Sequence, residues 1–184
     1  MNRTIGEQLA RNLGTAIFGR AEERRALRSL LSGDAPLVIY LHGLSGIGKS
    51  TLSAVLCREA RELGGSAICL DGRLIEPTQH GFLSEMANAL RCAPSLTAVT
   101  DSLAGLPQPV LIALDGYELL TLLDAWLRQV LIPALPEKAR MLVCSRLRLR
   151  RGGSRRPNGA GCCASCDWRG WTRERRTRYC APSA

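Results

Sequence analysis

The sequence predicts an α/β fold, a three-layer sandwich in which a parallel sheet is covered by helices on both faces, and three observations carry that expectation. Apolar runs of strand length alternate with amphipathic stretches of helix length through residues 15–146. The first of these runs leads directly into a glycine-rich loop that opens a helix. The runs are apolar at successive positions rather than at every second one, as strands buried between two helical layers are.

Taken in order, residues 21–31 place Leu27, Leu30 and Leu31 at helical spacing opposite Glu22, Glu23, Arg24 and Arg28, and Ser32-Gly33-Asp34 ends that helix. Residues 36–41 form a continuous apolar strand. A helix over 49–63 buries Leu52, Leu56, Ala60 and Leu63 and stops at Gly64-Gly65. A strand at 67–70, a helix at 82–90, a turn bracketed by Pro107 and Pro109, and a strand at 110–114 follow. Residues 118–132 read as one largely buried helix stopped by Pro133, and 141–145 as a further strand.

The chain of 184 residues, 46% apolar and 22% charged with only 4% aromatic, suits one domain with an aliphatic core. No apolar run approaches the length of a signal peptide or a membrane span, so a cytoplasmic protein without membrane contact is expected. Cys57, Cys69, Cys92 and Cys144 stand alone in apolar segments and read as reduced core residues. The net charge of +9 sits almost wholly in residues 147–184, where ten Arg face only Asp167 and Glu174. The chain divides accordingly into a lead at 1–14, a domain at 15–146 and a basic, Cys- and Arg-rich tail at 147–184, expected to be disordered. The tail has the composition of GC-rich codons read out of frame. Its Cys163-Ala164-Ser165-Cys166 lacks the second pair that a zinc site needs, and His42 and His80 have no partners at ligand spacing.

The residues that carry chemistry begin with Gly43-Leu44-Ser45-Gly46-Ile47-Gly48-Lys49-Ser50, which fits the phosphate-binding loop pattern G-x-x-x-x-G-K-[ST], followed by Thr51. Glycines let successive backbone N–H groups turn toward an anion, and the helix that follows presents its positive end to it. Lys49 is expected to reach the β and γ phosphates of ATP, Ser50 to ligate Mg²⁺, and Thr51 to bond the α phosphate or help cap the helix. The apolar strand ending at Asp115 puts a carboxylate at its tip that is expected to hold Mg²⁺ through water opposite Ser50, where the plainer reading of an Asp after a strand is a turn or helix cap. Glu118 either orients an attacking water or simply favours the first turn of its helix; Arg146 either senses the γ phosphate or begins the basic run. The fold expected from the loop is that of a P-loop NTPase, incomplete at its C-terminal side.

These residues resemble the STAND branch of the AAA-like P-loop ATPases, the origin-recognition-like modules of large bacterial regulators. The likeness covers about residues 15–146 and rests on Phe18-Gly19-Arg20-Ala21-Glu22, the loop, Asp115-Gly116-Tyr117-Glu118, and Leu142-Val143-Cys144-Ser145-Arg146. It implies that Phe18, Gly19 and Arg20 lie near the adenine, that Arg146 belongs to the nucleotide site, and that the sheet has the order 5-1-4-3-2. It also implies a regulatory switch acting through self-association or a partner protein. The fifth strand and the helical lid are not visible, so the strand before the loop should stand at an open edge and hydrolysis should be slow or absent. Two other readings stand beside it: a small-molecule or nucleoside kinase sharing the loop, and a nucleic-acid-binding protein working through the tail, with Trp168, Trp171 and Tyr179 as stacking residues.

Overall fold

The computed structural model describes residues 21–32, 37–147 and 163–164. In chain order these form α1 (Ala21–Ser32), β1 (Val38–His42), α2 (Lys49–Glu62), β2 (Ser66–Asp71), α3 (Gln79–Leu90), α4 (Leu96–Ala104), β3 (Val110–Asp115), a run of helical turns over 117–134, β4 (Ala139–Ser145) and the two-residue β5 (Cys163–Ala164). The first four strands pair in parallel in the order β2-β3-β4-β1, with Asp71 in register with Asp115 and His42 with Ser145.

Both faces of this sheet are covered, and the period of two along each strand decides which side chain meets which layer. Val38, Tyr40, Ile68, Leu70, Ile112, Leu114, Met141 and Val143 pack with Phe82 and Met86 of α3, Val99 and Leu103 of α4, and Leu120, Leu127 and Leu131. Ile39, Leu41, Leu111, Ala113, Leu142 and Cys144 pack on the other side with Leu27 and Leu30 of α1 and Leu52, Leu56 and Ala60 of α2. Arg28 ties those two helices together, donating from Nε and Nη2 to Glu59 at 2.8 Å each. Two-sided burial is why the inner strands read as unbroken apolar runs. β2, at the sheet edge, buries only Ile68 and Leu70 fully and leaves Cys69 exposed, so the reading of Cys69 as a core residue is corrected.

Three further expectations change. The single helix over 118–132 is instead a 3₁₀ stretch (Tyr117–Leu123) broken at Leu120 (φ −107°, ψ 19°), one α turn (Asp124–Trp126), a π turn (Leu127–Leu131) and a last turn (Ile132–Ala134). Pro133 lies inside that last turn rather than stopping it; the chain becomes extended at Leu135. Proline has no N–H for the carbonyl of Gln129 and its ring crowds that oxygen, and the wider π turn relieves the crowding. The helix α4 went unread although Ser95 caps it, accepting from the Ala98 N–H at 3.2 Å, and Leu96, Val99 and Leu103 share its inner face. Finally, β1 is not left open along its whole length, because Cys163–Ala164 pairs antiparallel with Leu41–His42. Apart from Leu147, the rest of the tail, for which disorder was expected, lies outside the described residues. No helix among the described residues is long and apolar enough to cross a membrane.

At the loop end of the sheet, Tyr40 donates to the Leu147 carbonyl at 2.8 Å, and the Tyr117 ring meets it edge-on at 5.8 Å. Tyr117 also donates to the Asp124 carboxylate.

Two outcomes follow from this packing. Phe82 is fully buried with Trp126 edge-on at 5.9 Å, so Phe82→Ala should cost about 3–5 kcal/mol in urea denaturation. Burial pushes the Tyr117 phenol up to about 12, above the ordinary 10.0 at which the unfolded chain ionises. The associated stability is intact below pH 10 and drains as pH rises through about 12; Tyr117→Phe should flatten the fall in melting temperature over that window.

Candidate functional site

The C-terminal ends of β1, β3 and β4 converge on one locus. After His42 the Gly43 N–H donates to the Ser145 carbonyl at 3.2 Å, which fixes the start of the loop to the end of β4. The chain then turns through Gly46 (φ 77°) and Gly48 (φ 93°), a left-handed conformation that a Cβ would strain, and enters α2 at Lys49. Gly48 is the N-cap and offers no side chain to the helix's first N–H groups. Those donors and the helix dipole are directed at the loop, the arrangement that receives a phosphate.

Lys49 is buried, and its ammonium donates to the carbonyls of Gly43 at 2.7 Å and Leu44 at 2.9 Å. The charge is thus held inside the loop by two neutral acceptors, which phosphate oxygens would replace with charged ones. Ser50 donates from Oγ to Asp115 Oδ2 at 2.5 Å, and the other carboxylate oxygen, Oδ1, accepts from the Gly116 N–H at 2.9 Å. A hydroxyl and a carboxylate converging at the mouth of the loop form a hard oxygen pair that fits Mg²⁺. Thr51 lies half-buried in the first turn of α2. Leu44, Ser45 and Ile47 complete the loop, with Leu44 and Ser45 exposed.

Glu118 and Arg146, predicted separately, meet each other. The Arg146 backbone N–H donates to Glu118 Oε2 at 3.0 Å and its Nε lies 3.2 Å from Oε1. Here Glu118 is engaged by an arginine at the end of β4. Of the predicted residues, the structure therefore brings together the 43–51 loop with Asp115, and Glu118 with Arg146; Phe18, Gly19 and Arg20 lie outside the described residues.

Sequence reasoning missed two charged groups beside this locus. Arg73 grips Asp71, donating from Nε at 2.9 and 3.1 Å and from Nη2 at 2.7 Å, and its guanidinium holds the Asp71 carboxyl below the usual carboxylate range. The Asp71 contact pushes Arg73 upward, and the charges of Asp115 and Glu118 act more weakly in the same direction. The signal was present: Leu70-Asp71-Gly72 repeats as Leu114-Asp115-Gly116, in register on neighbouring strands. Gly72 donates to the Asp115 carbonyl at 2.8 Å, and a Cβ there would stand 2.6 Å from the Gly116 carbonyl oxygen, so only glycine lets the two strand tips approach.

No protein-family model matches the chain. Over 62 residues it is 37% identical to the adenylyl-sulfate kinases of Shewanella sp. strain ANA-3, Shewanella sp. strain MR-4 and Shewanella oneidensis. The match covers 34% of this chain and 29% of each relative, so the chain spans under a third of the length of the curated relatives it matches. On its parallel sheet, its loop and this partial likeness, the chain has the α/β sandwich fold of a P-loop NTPase and is similar, over that stretch only, to adenylyl-sulfate kinases.

Proposed function

We propose that the chain binds Mg·ATP with the phosphates in the Gly43–Thr51 loop, and the observation that carries this is the convergence of Lys49, Ser50 and Asp115 on the loop's mouth. Lys49 exchanges its two carbonyl partners for β and γ phosphate oxygens. Ser50 and Asp115 hold the cation through their oxygens, and Thr51 lies beside the α phosphate. When bound, Mg²⁺ neutralises charge on the phosphates. Arg73 and Arg146 bring positive charge to the strand tips on either side of Asp115 and Glu118. By the resemblance, Phe18, Gly19 and Arg20 serve the adenine.

The finer reading supported by the comparisons is phosphoryl transfer from ATP to a small acceptor, because the matched relatives are kinases. In that reading the chain's own work is positioning: the loop holds the donor, and an anionic acceptor would draw Arg73 from Asp71. A second reading, the nucleotide-dependent switch of the STAND and AAA group with self-association or a regulatory partner as its output, is supported by the order β2-β3-β4-β1. It is supported as well by the Glu118–Arg146 pair, which a γ phosphate could draw apart.

Calorimetry tests the shared proposal: the wild type should bind Mg·ATP, Lys49→Ala should abolish binding with an unchanged circular dichroism spectrum, and equal affinity in both would refute the loop as the site. Asp115→Asn should lose the Mg²⁺ dependence of binding more than the binding itself. An ADP-release assay separates the finer readings. A kinase should release ADP at least about tenfold faster with a suitable acceptor, adenylyl sulfate being the first to try, than with water alone; a switch should stay below about 1 per second with or without it.

A further inference from the structure

The α2-facing side of the edge strand β2 carries a group of atoms that the nucleotide site does not use. Cys57, midway along α2, and Cys69, on β2, hold their Sγ atoms 3.2 Å apart. Arg61, one helical turn beyond Cys57, donates from Nη2 to the Ala67 carbonyl at 2.9 Å and to the Cys69 sulfur at 3.8 Å. The two thiols differ in access: Cys69 is exposed at the sheet edge and Cys57 is buried beneath it.

We propose that Cys69 and Cys57 form a peroxide-reactive thiol pair, with Cys69 as the attacking sulfur and Cys57 as the resolving one, which closes a disulfide between α2 and β2. Three features point the same way. A guanidinium anchored to a backbone carbonyl and touching the sulfur stabilises a thiolate on Cys69, and reactive cysteines occupy such electropositive, accessible surroundings. The contact with Cys57, together with Arg61, brings the Cys69 thiol down to about 6, while the same contact and burial push Cys57 up, so the negative charge belongs on the exposed sulfur. The separation of 3.2 Å needs to shorten only to the bonded length of about 2.05 Å, a closure of roughly 1 Å.

The chemistry uses hydrogen peroxide as oxidant. The Cys69 thiolate attacks one peroxide oxygen, breaking the O–O bond; the sulfur becomes a sulfenic acid and the departing hydroxide takes a proton to leave as water. The Cys57 sulfur then attacks the sulfenic sulfur, its proton leaving with the hydroxyl as a second water, and the S–S bond forms. Two thiols are oxidised and one peroxide is reduced to two waters. The pair stands on its own geometry and does not rest on the nucleotide reading.

The test treats the reduced full-length chain with hydrogen peroxide at equimolar and slight excess concentrations, alkylates the remaining thiols, and maps the tryptic peptides by mass spectrometry. Cleavage after Lys49, Arg58, Arg61 and Arg73 puts the two cysteines on peptides 50–58 and 62–73, which should appear joined. In Cys57→Ser, Cys69 should stop at a sulfenic acid trapped by dimedone; in Cys69→Ser, Cys57 should stay unmodified. Arg61→Gln should slow the reaction of Cys69 by about tenfold. The proposal is overturned if Cys92 or Cys144 reacts as fast as Cys69 in the wild type, if Cys57 is linked to another cysteine instead, or if Arg61→Gln leaves the rate unchanged.

Discussion

Ser50 and Asp115 touch although β1, which leads into the loop before Ser50, and β3, which ends at Asp115, are not neighbours: β4 runs between them, and two strand spacings are about 10 Å. The contact requires the loop after β1 to lean across the end of β4. Every residue of β4 is buried, and its last carbonyl, on Ser145, takes the Gly43 N–H, so the most buried strand anchors the loop and sets where α2 begins. Removing that anchor would move Lys49 and Ser50 together, because both sit in the first turn of the same helix. The position of the locus is therefore tied to packing on the other face of the sheet, where Met141 and Val143 of β4 join the cluster that holds Leu120, Leu127 and Leu131 of the helical turns.

The charges around the loop are arranged in pairs rather than left singly. Lys49 rests on loop carbonyls, Ser50 on Asp115, Arg146 on Glu118 and Arg73 on Asp71. The last two pairs are exposed on the arginine side and contribute little to stability. What they supply is position: each arginine is oriented at a strand tip without being fixed there by burial, so an incoming anion can compete for it. The left-handed turns at Gly46 and Gly48 provide the matching rigidity on the backbone side.

Much of this was legible in the chain. The loop, the strand ending at Asp115 and the alternation of strands and helices follow from local patterns that tertiary context reinforces, since buried parallel strands must be apolar on both faces. What could not be read depends on neighbours distant in sequence. Residues 118–132 carry a helical pattern, yet the missing N–H of Pro133 and the break at Leu120 divide the segment, and its packing on one face of the sheet decides how. Cys69 looks like its buried neighbours Ile68 and Leu70 until β2 is known to be the sheet edge. The Glu118–Arg146 pair joins residues 28 positions apart, and no spacing rule links them. Asp71 and Arg73 were readable in principle from the repeated Leu-Asp-Gly, but its meaning needs the register that sets Asp71 beside Asp115.

In the proposed function, nucleotide phosphates are received by the turn from β1 into α2 with the cation beside Asp115. Amide NMR of the isotopically labelled chain, titrated with ATP and Mg²⁺, tests it most directly. The largest shifts should fall on Gly46, Gly48, Lys49, Ser50 and Thr51, with Asp115 and Gly116 responding when Mg²⁺ is added. Shifts confined to residues outside the 43–51 loop, or the same shifts in Lys49→Ala, would contradict it.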